Sequence, residues 1–133
     1  QLKLMVRDEV QKVMKEKIKN SSSKAETMKI LEENKYTIIE RNFNCKQGEV
    51  DIIAYDTYRN ELVFLEVKTR FNLVYGRPSE AVSKVKQRHI ISVAKYYIYK
   101  VNIKNTAIRF DVIEVFLDNN EYNINHIKQA FYI

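Results

Sequence analysis

The sequence predicts a single α/β domain in which helices cover the faces of a mixed β-sheet. Two strand-like runs, Glu49–Tyr55 and Leu62–Thr69, flank the polar turn Asp56–Asn60, which is typical of a β-hairpin. A long helical pattern and another strand-like run, Thr106–Phe116, follow the hairpin. A strand, a helix and a further strand in this order form a crossover, so antiparallel and parallel pairs are both expected. The chain has 133 residues, a length that suits one domain.

Before the hairpin, the pattern predicts two helices and a strand. Residues 1–20 place apolar side chains at helical intervals, and we separate them as an N-terminal helical extension from a domain spanning 21–133. The polar run at 20–23 is expected to cap a helix from about Ser23 to Asn34. The core side chains expected of this helix are Ala25, Met28 and Leu31. Tyr36–Cys45 is predicted to be the first strand.

In the second half of the chain, Leu62–Leu65 is apolar on both faces, which indicates a buried central strand. Ser79 is expected to cap a long helix that reaches about Lys100. The core side chains expected of this helix are Val82, Ile90, Ala94, Tyr97 and Val101. The last segment, Tyr122–Ile133, is expected to form a short strand or a helical turn.

Charge and composition limit the classes of function. The chain carries 23 Lys and Arg against 17 Asp and Glu, a net charge of +6. This surplus fits a polyanionic partner such as nucleic acid, although a merely soluble basic surface is an open alternative. The single cysteine, Cys45, cannot form an intramolecular disulfide. No run of 18 apolar residues and no secretory signal is present, so we expect no membrane association and a cytoplasmic location.

Charged residues inside the two strands of the hairpin are the main functional signal. Glu49 and Asp51 share one face of an alternating strand, and so do Glu66 and Lys68 on the next strand. If the two faces turn to the same side, three carboxylates and one ammonium converge at the rim of the core. The alternative is a solvent-facing hairpin edge that carries a simple Glu–Lys pair.

An acidic residue on one strand followed by Glu-x-Lys on the next resembles the active site of the restriction-endonuclease-like nuclease superfamily. More narrowly, the chain from about Glu26 onward resembles the YraN-like family of small bacterial proteins, which is related to archaeal Holliday-junction resolvases. The blocks that carry the resemblance are ERNF (Glu40–Phe43), GEVDIIA (Gly48–Ala54), LVFLEVKTR (Leu62–Arg70), RPSEAV and KQR (Arg77–Val82 and Lys86–Arg88), RFDVIEV (Arg109–Val115) and INHIKQAF (Ile124–Phe131). The resemblance implies a restriction-endonuclease-like fold, a mixed central β-sheet flanked by helices.

The chemistry implied is metal-dependent hydrolysis of a DNA phosphodiester, with Asp51, Glu66 and Lys68 as catalytic residues. Asp51 and Glu66 offer oxygen ligands suited to Mg²⁺ or Mn²⁺. Glu49 is a further candidate ligand, which could hold a second metal or a water, or pair with a basic neighbour. We expect Lys68 to stabilise the attacking water and the transition state electrostatically rather than to act as a general base. A zinc site is not expected, because His89, His126 and Cys45 have no ligand spacing.

The candidate DNA contacts are the basic side chains that follow the motif in sequence: Arg70, Arg77, Lys84, Lys86 and Arg88. Branched DNA is the candidate substrate, and a homodimer is an open possibility. Two further classes of function also stay open. One is a nucleic-acid-binding module that keeps the fold with little or no catalysis, and the other is a protein–protein adaptor.

One position departs from the pattern of the YraN-like family. That family carries a glutamate near the start of the helix before the first strand, close to the metal site. Counted back from Tyr36 without gaps, Lys24 takes this position and Glu26 lies two residues later. Two residues rotate a helix by roughly 200°. Either the helix shifts its register, or the fourth acidic residue is missing.

Overall fold

The computed structural model describes residues 22–70, 82–118 and 121–133. Two helices and five strands are present in these ranges. In chain order they are α1 (22–33), β1 (Tyr36–Cys45), β2 (Gly48–Asp56), β3 (Glu61–Arg70), α2 (Lys84–Val101), β4 (Ala107–Asp118) and β5 (Glu121–Phe131). The predicted extension at 1–20, Arg77 and Ser79 lie outside the described residues.

The five strands form one sheet in the order β1-β2-β3-β4-β5. Neighbouring strands are antiparallel except β3 and β4, which are parallel and joined through α2. This is the mixed sheet expected from a hairpin followed by a strand–helix–strand crossover. The predicted fold class is confirmed: the domain is α/β, with a mixed central sheet flanked by helices, and it is consistent with a restriction-endonuclease-like fold.

The two helices cover opposite faces of the sheet, and each face has its own apolar cluster. On one face Val50 and Phe64 of the sheet pack with Val93 of α2. On the other face Leu31 of α1 packs with Ile52 and Leu65. All four residues of Leu62–Leu65 are buried, because β3 is enclosed by strands on both sides and by a helix on each face. The prediction of a buried central strand is therefore confirmed.

Both helices differ from their predicted details. In α1 the buried residues are Ser23, Thr27 and Leu31, one turn apart, while Ala25 is exposed, so its predicted burial is wrong. Thr27 Oγ1 donates to the Ser23 carbonyl at 2.7 Å, which lets two polar residues face the sheet. The Ser23 hydroxyl is satisfied by Thr69 of β3, so both hydroxyls have partners, and apolar periodicity could not reveal that these residues are buried.

Helix α2 begins at Lys84, later than predicted, and Ser83 is its N-cap, with its side chain accepting a hydrogen bond from the Lys86 N–H. Its buried residues are Ile90, Val93, Ala94 and Tyr97. Val101 is 51% exposed, so its predicted place in the core is wrong. The helix ends there because Asn102 adopts the left-handed conformation of a C-cap.

The last segment forms a strand, β5, rather than a helical turn.

Both outer strands of the sheet, β1 and β5, carry an irregularity. The register of β1 on β2 shifts between Ile38 and Glu40, and Asn42 has a φ of 48°. The register of β5 on β4 shifts between Phe110 and Val112 of β4, and Gln129 of β5 has a φ of 53°. Among the described residues, no helix is both long and apolar enough to cross a lipid bilayer.

Candidate active site

The candidate site lies where β2 and β3 stop pairing through their backbones. The backbone ladder between these strands ends at the pair Ile52 and Leu65. Beyond this pair, two side-chain carboxylates accept the hydrogen bonds from the backbone N–H groups, in place of backbone carbonyls. The Val67 N–H donates to Asp51 Oδ2 at 2.8 Å, and the Asp51 N–H donates to Glu66 Oε1 at 3.3 Å. Asp51 and Glu66 are thus brought together, as predicted, and each is held by the other's strand.

The direction of the β2 side chains changes at Asp51. Val50 packs in the cluster under α2, whereas Ile52, two residues on, packs in the cluster under α1. On a regular strand these residues would share a face. Asn42 lies opposite Asp51 on β1, between the pairs Arg41–Ile52 and Phe43–Val50, and has a left-handed backbone. Strict alternation is therefore interrupted at Asp51, which sequence periodicity could not predict.

Two lysines contact the carboxylate oxygens that face away from the backbone. Lys24 Nζ of α1 lies 3.0 Å from Asp51 Oδ1, and Lys86 Nζ of α2 lies 3.6 Å from Glu66 Oε2. The Asp51 and Glu66 side chains are only 13% and 14% exposed. Each carboxylate therefore has one oxygen on a backbone N–H and the other on an ammonium group. When both carboxylates are ionised, the two lysines balance their charges.

The open question about the start of α1 is answered by this geometry. Lys24 reaches Asp51, and within the described chain Glu26 forms no ion pair. The helix has not shifted its register to bring Glu26 to the site. A lysine therefore stands where the family resemblance implied a fourth acidic residue.

Lys68 and Glu49 take a smaller part in the observed contacts. Both side chains are exposed, and within the described ranges neither forms an ion pair. Glu49 pairs through its backbone with Asn44 of β1. The structure thus brings Asp51 and Glu66 together, while Glu49 and Lys68 lie close to them in sequence on the same two strands and face solvent.

The predicted DNA-contacting side chains fall into two groups. Arg70 Nε binds Glu114 Oε2 at 2.6 Å, so this guanidinium already has an anionic partner. Lys86 contacts Glu66 and is 43% exposed. Lys84 and Arg88 are exposed on the first turns of α2 and form no ion pair with any described residue. Among the predicted DNA contacts that the structure describes, those without an ion pair therefore lie at the start of α2.

Burial and the neighbouring Asp51 charge raise the pKa of Glu66 from 4.5 to about 7, and the attraction of Lys86 offsets only part of this increase. Folded Glu66 keeps its proton up to about pH 7, whereas the unfolded side chain loses it near its ordinary pKa of 4.5. Between these values the folded state binds more protons than the unfolded state. The free energy of unfolding therefore falls as the pH rises through this range.

Glu66→Gln is expected to remove this pH-dependent penalty, because the amide stays neutral at every pH. Relative to the wild type, the variant should gain on the order of 2 kcal/mol above pH 8 and nothing below about pH 4. Urea unfolding at several pH values measures this difference. Glu32→Gln, on the exposed side of α1, is the matched control and should follow the wild-type curve. A Glu66→Gln difference that does not change with pH would contradict the assigned burial penalty.

The two carboxylates provide oxygen ligands of the type that hard divalent cations prefer. Asp51 Oδ1 and Glu66 Oε2 are the oxygens that no backbone N–H occupies, and carboxylate oxygens suit Mg²⁺ or Mn²⁺. No cluster of three or more His, Cys, Asp or Glu side chains suited to a metal exists within the part of the chain that the structure describes. Two carboxylates with water and phosphate completing the coordination is a usual Mg²⁺ arrangement.

A second polar cluster, which sequence reasoning missed, surrounds Arg109 of β4. Its guanidinium is 2% exposed and donates to Asp56 Oδ2 at 2.9 Å, to both oxygens of Asp111 at 2.9 Å and to the Tyr36 hydroxyl at 2.7 Å. Nε2 of His126 lies 2.6 Å from Asp111 Oδ2.

Burial alone would raise the pKa of Asp111, but hydrogen bonds from His126 and Arg109 outweigh burial and hold this pKa below its usual value. The signal available in RFDVIEV was the pair of opposite charges, Arg109 and Asp111, two residues apart on one face of the strand.

Beside this cluster, a cavity of about 600 Å³ opens between the end of α1, the β2–β3 turn and β5. Tyr36, Asp56 and His126 form part of its wall. Because Asp56 and Asp111 already bind Arg109, the wall is a satisfied hydrogen-bond network. Within the described residues, no buried side-chain polar atom lacks a hydrogen-bond partner.

Comparison with known proteins adds the following matches. A family model described as "Uncharacterised protein family UPF0102" matches residues 25–115. A UPF0102 protein of Caldicellulosiruptor saccharolyticus is 46% identical over 113 residues, covering 84% of this chain and 94% of the relative. One from Clostridium perfringens is 45% identical over 108 residues, covering 79% and 86% of the two chains. One from Clostridium botulinum is 52% identical over 101 residues, covering 74% and 80%.

Proposed function

This chain belongs to the UPF0102 family, also called YraN-like, and we propose that it is a metal-dependent DNA endonuclease of the restriction-endonuclease-like superfamily. The observation that supports this proposal best is the reciprocal arrangement of Asp51 and Glu66 at the end of the β2–β3 ladder. Two nearly buried carboxylates at the rim of a sheet are costly unless they are paired or hold a cation. Branched DNA is the proposed substrate, and a cytoplasmic location is part of the proposal.

The chain's own residues would divide the work of hydrolysis among them. Asp51 Oδ1 and Glu66 Oε2 would hold Mg²⁺ or Mn²⁺, which when bound supplies charge neutralisation at the phosphate and a more acidic water. Val67 N–H and Asp51 N–H fix the two carboxylates by binding their other oxygens. Lys68, exposed two residues after Glu66, would turn its ammonium toward the charge that develops on the phosphate.

The proposed DNA surface is the start of α2, close to the carboxylates. Lys84 and Arg88 are free of ion pairs within the described residues, and Lys86 already reaches Glu66. One DNA phosphate could therefore contact these side chains while the adjacent phosphate of the same strand lies at the carboxylates. Arg70 contributes less in this scheme, because Glu114 neutralises it.

Cleavage of a labelled four-way junction tests the proposal directly. Linear duplex and single-stranded DNA are the substrate controls, and each reaction is run with Mg²⁺, with Mn²⁺ and with EDTA. We expect cleavage of the junction that requires metal and stops in EDTA. Absence of cleavage on every DNA with either metal would reject the endonuclease proposal.

The second candidate function is a nucleic-acid-binding module without catalysis, and the lysine contacts favour it. Lys24 and Lys86 already neutralise Asp51 and Glu66, so the site is balanced without a metal ion. In this alternative the two carboxylates serve to place basic side chains beside DNA. Junction binding without metal-dependent cleavage would select it.

Both candidates predict DNA binding that weakens steeply as salt is added, because Lys and Arg contacts to phosphate release counterions. Replacing Lys84 and Arg88 together by Gln should lower the slope of log K against log salt by about 2. Lys95→Gln with Lys104→Gln, two exposed lysines with no ion pair in the described chain, is the matched control of equal charge. Fluorescence anisotropy from 50 to 300 mM salt measures the slopes. Binding that ignores salt would instead favour the protein–protein adaptor.

A further inference from the structure

Lys24 holds a position at the site that is fixed from two sides. Its ammonium lies 3.0 Å from Asp51 Oδ1 and donates to Asn42 Oδ1 at 2.8 Å. Asn42 is a left-handed residue opposite Asp51 on β1, which turns its amide oxygen toward the helix. The ammonium therefore sits among oxygen atoms of two adjacent strands, on the donor atom that a metal would need.

The helix that carries Lys24 is itself anchored next to this residue. Ser23 is fully buried, and its hydroxyl accepts a hydrogen bond from Thr69 Oγ1 of β3 at 2.9 Å. One turn later Thr27 is also buried against the sheet. The backbone at Lys24 is thus held beside β3, and only the lysine side chain can leave Asp51 without a movement of α1.

Lys24 is bound more closely than the second lysine of the site. The Lys86 ammonium is 3.6 Å from Glu66, and its side chain is 43% exposed, against 3.0 Å and 27% for Lys24 with Asp51. Lys86 can therefore move into solvent more easily, whereas the Lys24 ammonium is held by both Asp51 and Asn42. Of the two lysines, Lys24 is the stronger competitor of a cation at the carboxylates.

We propose that Lys24 is an internal cation that occupies the Asp51 side of this site and keeps the affinity for divalent metal low. The inference rests on the proposed function, because it takes Asp51 and Glu66 as the metal-binding pair. A divalent ion and the Lys24 ammonium cannot share Asp51 Oδ1 without strong repulsion. Metal binding is then an exchange in which Lys24 withdraws, and a chain with an uncharged residue at 24 binds metal more tightly.

The experiment titrates Mn²⁺ into the DNA-free full chain by calorimetry, at fixed pH and ionic strength. Lys24→Met keeps the aliphatic stem without the charge, Lys24→Glu adds a carboxylate, and Lys24→Arg keeps the charge. Lys29→Met, an exposed lysine on the same helix, is the matched control. Circular dichroism checks that each variant is folded, and Lys24→Gln replaces the Met variant if that protein does not fold.

Relative to the wild type, Lys24→Met is expected to bind Mn²⁺ about tenfold more tightly, and Lys24→Glu about a hundredfold. Lys24→Arg and Lys29→Met should stay within about threefold of the wild type. Mn²⁺ affinities of Lys24→Met and Lys24→Glu no higher than that of the wild type would overturn the inference. An equal gain in Lys29→Met would also overturn it, because the effect would then come from net charge alone.

The outcomes separate this inference from the endonuclease proposal. If Lys24→Glu gains Mn²⁺ affinity while neither it nor the wild type cuts any DNA, the inference stands and the endonuclease proposal fails. If the wild type cuts DNA with Mn²⁺ and the Lys24 variants gain no affinity, the endonuclease proposal stands and Lys24 is only a structural partner of Asp51.

Discussion

Arg109→Met is expected to lower the free energy of unfolding by about 3–5 kcal/mol, the scale of breaking a buried ion pair on one side only. The guanidinium satisfies Asp56, Asp111 and the Tyr36 hydroxyl at once, and Asp111 is fully buried. Removing the cation leaves two carboxylates without their main partner in the interior. Methionine fills similar volume, so the loss comes from charge rather than from a cavity.

Chemical denaturation at neutral pH measures this loss. Arg59→Met, an exposed arginine on the β2–β3 turn, is the matched control and is expected to change the free energy of unfolding by less than about 0.5 kcal/mol. The double variant Arg109→Met with Asp111→Asn should recover part of the loss, since one unpaired charge is gone. A decrease below about 1 kcal/mol for Arg109→Met would show that the cluster adds little to stability.

Asp51→Asn is expected to reduce metal-dependent cleavage by at least about a hundredfold while leaving the fold intact. The amide oxygen can still accept the Val67 N–H, so the end of the β2–β3 ladder is preserved. What disappears is the charge that attracts a cation. Mn²⁺ affinity should fall together with cleavage, and DNA affinity should hold or rise, because one carboxylate no longer repels phosphate.

Lys68→Ala distinguishes metal capture from stabilisation of the transition state. It should also abolish cleavage but leave Mn²⁺ binding largely intact, because an ammonium donates hydrogen bonds and cannot coordinate a metal. Lys95→Ala, an exposed lysine of α2, is the control for a simple loss of charge. Cleavage rate, Mn²⁺ affinity and melting temperature are measured for each protein. Wild-type cleavage by a folded Asp51→Asn variant would remove Asp51 from the active site.

The fold was largely predictable because its determinants are local patterns. The strand Tyr36–Cys45 was predicted with its observed bounds, and the hairpin around Asp56–Asn60 was predicted to within a residue or two. The four apolar residues Leu62–Leu65 identified the central strand because only a strand covered on both faces tolerates such a run. These signals need no knowledge of distant contacts.

The arrangement of the candidate site was only partly predictable. Sequence pattern selected Asp51 and Glu66, but the change of side-chain direction at Asp51 depends on the left-handed backbone of Asn42 on another strand. Whether Lys24 or Glu26 faces the site depends on how α1 docks on the sheet. Ser23 anchors α1 to β3 through a hydrogen bond from Thr69, and Thr27 is buried with its hydroxyl bonded inside the helix. Apolar periodicity does not detect either polar residue.

The irregularities of the two outer strands have a consequence for self-association. Within the described chain, β1 and β5 each pair on one side only, so each leaves a row of backbone groups open to another strand. Where such an open edge is flat and regular, it promotes aggregation, because a strand of another copy can extend the sheet. The left-handed residues Asn42 and Gln129, each with a register shift nearby, interrupt the regular strand geometry that pairing with a second copy would need. Asn42→Val or Gln129→Val is expected to make its edge more regular and to lower the solubility of the protein, measured as the concentration that stays in solution after centrifugation.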